Sequence, residues 1–170
     1  MKLKKFNIKN FRCFKEEVCI DFENLTAIVG KNDIGKSSII DAISLFFGKY
    51  KLTNEDGCIY GDPKEVHLIA EFDDLPDEIL IDSNNYTSLK SEYLLNQQGL
   101  LEIHQIFDAS LKNPKLKKTF LLANHPSKKN CNDLLNLNIT DLKIRAGELE
   151  IDLSGVDLNK KAEIRKSIWD

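Results

Sequence analysis

The sequence predicts an α/β fold built on a phosphate-binding loop, and three observations carry that prediction. Leu25 to Val29 is a short, nearly continuous apolar run, as expected of a strand buried on both faces. Gly30 then opens the pattern G-x-x-x-x-G-K-S, which closes on Lys36 and Ser37. From Ser37 on, Ile39, Ile40, Ile43, Phe46 and Phe47 recur at helical spacing, and Gly48 is a stop signal. Strand, glycine loop and helix, in that order, are the context that gives the pattern meaning.

The residue types fit an anion. Gly30 and Gly35 let the backbone turn tightly, so that successive N–H groups face inward as a nest. A helix starting near Lys36 adds free N–H groups and the positive end of its dipole. The candidate site is therefore Gly30, Lys31, Asn32, Asp33, Ile34, Gly35, Lys36, Ser37 and Ser38. In it Lys36 reaches the β- and γ-phosphates of a nucleoside triphosphate, and the Ser37 hydroxyl ligates Mg²⁺.

Taken in order, Lys2 to Phe11 reads as a first strand, with Phe6 and Ile8 alternating with Asn7 and Lys9. Asn10 to Lys15 is a turn carrying Arg12. Glu17 to Phe22 is a second, antiparallel strand with Val18, Ile20 and Phe22 on one face. The glycine-loop strand is expected beside this antiparallel layer. Lys49 to Pro63 is a polar loop, and Val66 to Phe72 alternates as a half-buried strand. The run LIAEFDD superficially resembles a Walker B segment, but its alternation and its closeness to the glycine loop favour an ordinary strand. Leu100 to Ala109 and Lys117 to Ala123 form a hairpin across Asn113-Pro114. Beyond His125-Pro126, Leu134 to about Leu149 and Asn159 to Trp169 read as helices. The expected organisation is a lobe over residues 1–125 followed by a helical segment over 126–170, which opens an insert or forms a small helix-loop-helix module.

The 170 residues suffice for one domain with a core, and 42% hydrophobic with 30% charged residues suits a globular chain. A net charge of −3 gives no global attraction to nucleic acid, so any such contact belongs to a local patch. Cys13, Cys19, Cys58 and Cys131 form no C-x-x-C pair and do not cluster with His67, His104 or His125, which reads as reduced thiols in a cytoplasmic protein rather than a zinc site. No apolar run is long enough to span a bilayer, and MKLKKFNIKNF lacks the apolar core of a signal peptide.

The opening KLKKFNIKNFRCFKEEVCIDFENLTAIVGKNDIGKSSIIDAISLFFG resembles the N-terminal lobe of ABC-type ATPases of the SMC, RecF and OLD group. Asn10-Phe11-Arg12, Gly30 to Ser37 and Asp41-Ala42-Ile43 stand at the matching places, and Asn32-Asp33 resembles the OLD-like variant of the loop. The resemblance is strong over residues 2–48. It implies ATP as the nucleotide, with Mg²⁺, and homodimerisation through ATPase heads. It also implies a role in DNA repair or anti-phage defence with DNA and a second defence or repair subunit as partners, and no membrane. It implies that Arg12 approaches phosphates or DNA; a surface turn arginine is the plainer alternative. Such heads also carry a glutamine that reaches the metal, for which Gln97, Gln98 and Gln105 are candidates by position. No signature loop or Walker B carboxylate pair is recognisable, so catalytic residues are unassigned. Leu153-Ser154-Gly155 lacks the Gly-Gln that would follow in a signature. The expectation is the N-terminal piece of a longer ATPase. The competing readings are a complete small kinase or phosphotransferase and a non-catalytic, nucleotide-gated binding module.

Overall fold

The structure, a computed structural model, describes residues 1–31, 35–82 and 85–170. It forms two compact units, one of residues 1–75 and 100–122, the other of residues 76–99 and 123–170. Residues 76–99, which the sequence leaves within the first lobe, belong to the second unit.

The first unit is an antiparallel sheet with one helix on its face. Its strands are β1 (Lys2–Lys9), β2 (Val18–Asp21), β3 (Val66–Asp73), β6 (Leu101–Asp108) and β7 (Lys115–Leu122). Their order is β2-β1-β3-β6-β7, with every pairing antiparallel. Alternation decides which face is which. Phe6 and Ile8 of β1 and Val66, Leu68, Ala70 and Phe72 of β3 are buried on one face. In register, Leu68 lies opposite Ile8 and Ala70 opposite Phe6, so the apolar side chains fall on the same side.

Helix α1 (Lys36–Phe46) covers that face. Phe46 meets Phe6 edge-on at 5.6 Å between centroids and lies 6.4 Å from Phe72. The buried stripe of α1 is Ala42, Leu45 and Phe46, while Ile40 and Phe47 stay exposed. The contact with the sheet is thus rotated and narrower than the run of isoleucines suggests. Gly48, in the left-handed region at φ 69°, ends the helix as expected, its N–H donating to the Leu45 carbonyl.

One expected element is corrected. Leu25–Val29 is in no strand, and Leu25 and Val29 are 89% and 91% exposed. An apolar run is a buried strand only where neighbouring strands take its N–H and C=O groups. The five-stranded sheet is assembled without this run, and among the described residues no strand pairs with it.

The second unit holds a two-stranded pair, β4 (Ile79–Asp82) and β5 (Asn85–Thr87), and the helices α2 (Ile139–Glu148) and α3 (Lys161–Trp169). Cys131, Leu134, Leu142, Ala146, Ile164 and Ile168 form its apolar core. Asn138 caps α2, its Oδ1 accepting from the Asp141 N–H at 2.9 Å. Arg165 of α3 is fully buried. It donates to Glu92 at 2.7 and 2.8 Å and to Asp82 at 2.9 Å.

Truncating Phe46 to Ala removes the ring that three aromatic contacts share. We expect a loss of about 3–5 kcal/mol in urea unfolding, as for other buried Phe→Ala changes. Phe47→Ala, on the exposed side, should cost under about 1 kcal/mol; equal losses would contradict the assigned helix face.

Candidate functional site

The candidate site begins at the N-terminus of α1. Gly35 takes a left-handed backbone at φ 99°, which L side chains adopt at a cost. It is also hemmed in: a Cβ there would lie 2.7 Å from Cys13 Sγ and 2.9 Å from Phe14 Cζ. Gly35 is therefore seated on the turn that follows β1. Lys36 folds back over the loop, its Nζ donating to the Gly30 carbonyl at 2.5 Å and to the carbonyl of Lys31. Ser37 is exposed at the start of the helix, beside half-buried Ser38. The expected contributions of Asn32, Asp33 and Ile34 lie outside the described residues.

Arg12 sits beneath this arrangement, itself left-handed at φ 48°. Its guanidinium uses three nitrogens on three elements. Nε donates to Asp56 Oδ1 at 2.8 Å, Nη1 to Asp41 Oδ2 at 2.5 Å, and Nη2 to the Tyr50 hydroxyl at 2.8 Å. Its backbone N–H donates to the Asp56 carbonyl at 2.8 Å. The planar fork suits this division of labour in a way that a lysine ammonium does not. Asp41 belongs to the first half of α1, so Arg12 ties the turn after β1 to the helix that begins at the loop.

Asp56 is the carboxylate at the centre of the tie, and its side chain is 3% exposed. It accepts from the Thr53 N–H and hydroxyl at 2.8 Å each, and from the Tyr50 hydroxyl. Burial disfavours its charge, but the hydrogen bonds from Thr53, Arg12 and Tyr50 outweigh that and hold its pKa below the ordinary carboxylate range. For Tyr50, burial and Asp56 push the phenol up, so it stays protonated and can donate. Asp56 and Tyr50 lie in a polar loop that gives no periodic signal, and sequence reasoning missed both. The one available hint was the spacing of Thr53 and Asp56, which form a capping box.

The other candidates are not brought to the loop. Gln105 Nε2 donates to the Phe46 carbonyl at 3.4 Å, at the last turn of α1. That is about 15 Å along the helix from Lys36 at 1.5 Å per residue. Gln97 and Gln98 belong to the second unit. The Walker B-like run is β3 in the middle of the antiparallel sheet. Its Glu71 points to the face opposite the one that α1 covers, and burial raises its carboxyl pKa. All four cysteines are free, and among the described residues no group of His, Cys, Asp and Glu could hold a metal. Among them also, no helix is long and apolar enough to cross a membrane.

A left-handed glycine at a helix start, a lysine curled over the preceding loop and an antiparallel layer beneath define an α/β P-loop NTPase lobe. The chain belongs to the AAA_15 family, the AAA ATPase domain, whose model matches residues 1–170. It is similar to the chromosome partition protein Smc of Bacillus subtilis, 33% identical over 117 residues, which is 58% of this chain and 10% of that protein. It is similar to Smc of Mycoplasma genitalium, 30% identical over 127 residues, 62% of this chain and 13% of that one. The OLD nuclease of Thermus scotoductus is 48% identical over 46 residues, 27% of this chain and 8% of that enzyme. The matches thus span only about a tenth of the length of these relatives. Among solved structures, the SMC head domain from Thermotoga maritima aligns at 21% identity and a TM-score of 0.41, covering 73% of this chain and 38% of that one. The family match and the relatives make this an SMC- and OLD-like ABC-type P-loop ATPase lobe.

Two outcomes test this geometry. Gly35→Ala combines an unfavourable φ with the close approach of Cys13 and Phe14, and should lower stability by at least about 1–2 kcal/mol; an unchanged melting temperature would show that Gly35 is not seated as described. A carboxylate with a depressed folded pKa stabilises above its unfolded pKa, about 3.9, and that stability is lost as pH falls through the folded value. Asp56→Asn should therefore weaken the protein at pH 7 by about 2 kcal/mol and flatten the loss of stability below about pH 4. Unfolding titrations of both proteins across that range make the comparison.

Proposed function

We propose that this chain is the ATP-binding lobe of an SMC/RecF/OLD-like ATPase acting in DNA repair or anti-phage defence. It takes Mg–ATP on residues 30–38 and gates the dimerisation of ATPase heads. The observation that carries this reading is the return of Lys36 Nζ to the Gly30 carbonyl at 2.5 Å. It sets an ammonium against the carbonyls of Gly30 and Lys31 near the positive end of α1, where a phosphate would exchange for the two carbonyls. Ser37, exposed beside it, offers the hydroxyl that this family would use for Mg²⁺. The bound metal would neutralise charge on the phosphate oxygens. The residues of this chain bind and orient the phosphates.

The exposed run Leu25–Val29 fits the same reading. Each large apolar side chain left in water forgoes about 2 kcal/mol of burial. Strands from the rest of an ATPase head, laid beside residues 25–29, would take up this surface and the unpaired backbone. DNA and a defence or repair subunit would act on that completed assembly. A complete kinase gains no support. Arg145 is engaged by Asp133 at 2.7 Å, and Arg165 by Glu92 and Asp82, so neither is available to a lid.

Titration calorimetry with Mg–ATP tests the proposal, with light scattering on the same samples. We expect measurable binding that falls at least about 100-fold in Lys36→Ala, the loss of a charge-assisted hydrogen bond worth about 3 kcal/mol, without ATP-driven dimers. Equal binding by both proteins would remove the P-loop from the explanation, and dimers formed by this chain alone would refute the need for a completing half.

A further inference from the structure

The second unit contains a groove of about 590 Å³ that the P-loop reading does not use. Its volume falls in the range of small-molecule sites, about 300–1,000 Å³. Lys90 and Lys166 stand in its walls with Tyr93, Gln97 and Asn124, and Asp170 lines it as well.

The ion pairs at α3 leave one of its basic residues over. Of the four basic residues at α3, Lys160 pairs with Glu163, Lys161 with Asp82, and Arg165 with Glu92 and Asp82. Lys166, the one that lines the groove, has no ion pair among the described residues, and neither has Lys90. Two lysines against the one carboxylate side chain of Asp170 leave the lining with a positive excess, although the chain as a whole carries −3.

The walls are also held in place. Tyr93 is left-handed at φ 53°, an uncommon state for a bulky residue. Its neighbours over-determine that conformation. The Tyr93 N–H donates to the Lys90 carbonyl at 3.2 Å, and the Leu94 N–H to that of Leu89 at 2.9 Å. His125 Nδ1 lies 3.1 Å from the Tyr93 carbonyl. The ring of Trp169 meets that of Tyr93 edge-on at 5.4 Å, and its indole N–H is anchored on the Cys131 carbonyl at 2.8 Å. Glu92, next to Tyr93, and Arg165, next to Lys166, form the buried ion pair of the unit. That pair fixes the two walls against each other. Asn124 is held by its backbone, the N–H donating to the Leu95 carbonyl at 2.8 Å.

We infer that this groove binds a nucleoside monophosphate unit. Lys90 and Lys166 take the phosphate, the part-exposed ring of Tyr93 stacks on the base, and the amides of Gln97 and Asn124 meet its polar edge. The combination is the local footprint of single-strand recognition: cations for the backbone, an aromatic for the base, amides for its edge. Such a unit comes either as a free nucleotide or within a single strand. The site is separate from residues 30–38 and does not depend on their function.

The test uses fluorescence anisotropy with a labelled oligothymidylate. The chain carries Lys36→Ala throughout, so that the P-loop contributes no phosphate binding. We expect binding at low salt that weakens at least tenfold in Lys90→Ala/Lys166→Ala, with an unchanged melting temperature because neither lysine is buried or paired. The salt slope should fall by about 1.4, or about 0.7 for each lysine–phosphate pair removed from a single strand. Tyr93→Leu should weaken binding further. Displacement of the label by free thymidine monophosphate would identify a nucleotide pocket, and displacement only by unlabelled strand a strand site; both support the inference. No binding, or binding equal in the double lysine variant, would overturn it.

Discussion

The guanidinium of Arg12 is the interaction on which the first unit turns. It sits on a left-handed residue just past β1 and bonds Asp41 in α1, Asp56 in the connecting loop and the Tyr50 hydroxyl. Without it a carboxylate 3% exposed would lack its charged partner, a penalty of several kcal/mol for a buried group. Cys13 and Phe14, immediately beyond, are the atoms against which Gly35 is packed. The seat of Gly35 therefore directly follows the residue that anchors the ion-pair network. The family resemblance implies that Arg12 approaches phosphates or DNA, with a surface turn arginine as the alternative; in the structure its guanidinium is engaged inside the unit by Asp56, Asp41 and Tyr50. A ligand that called on Arg12 would have to draw it away from two carboxylates.

The sheet and the P-loop are joined in an uneven way. All five strands of the first unit are antiparallel, and α1 is tied to them through Phe46 rather than through the apolar run that leads into the loop. Gly35 rests on the turn after β1, while Leu25 and Val29 stand in water.

In the second unit a buried ion pair plays the part that aromatic packing plays in the first. Arg165 against Glu92 and Asp82 carries α3 onto the segment around β4 and β5 across more than 70 positions of sequence. Removing one partner would strand the other in an apolar setting, so the pair specifies position more than it adds stability. This explains why residues 76–99 fold with the C-terminal helices. Three of the four basic residues at α3 are engaged in ion pairs, and Lys166 is left to line a groove.

Much of this was legible in the sequence because it is periodic or stereochemical. Alternation at Val66–Phe72 and at Lys2–Lys9 determines strands and their inner faces, since neighbouring Cβ atoms point to opposite sides. Gly35 before Lys36-Ser37 marks a loop that needs a left-handed residue, and Gly48 marks the end of the helix. The hairpin of β6 and β7 follows from its turn residues. Tertiary structure alone decided the rest. Whether Leu25–Val29 forms a strand depends on neighbours that satisfy its backbone, not on its own apolar character. Whether Arg12, Asp41, Asp56 and Arg165 are solvated or buried depends on partners up to 83 positions apart, brought close only by the completed fold. Patterns within a strand or helix are local and can be read from spacing; the pairing of charges is a long-range choice that no local period encodes.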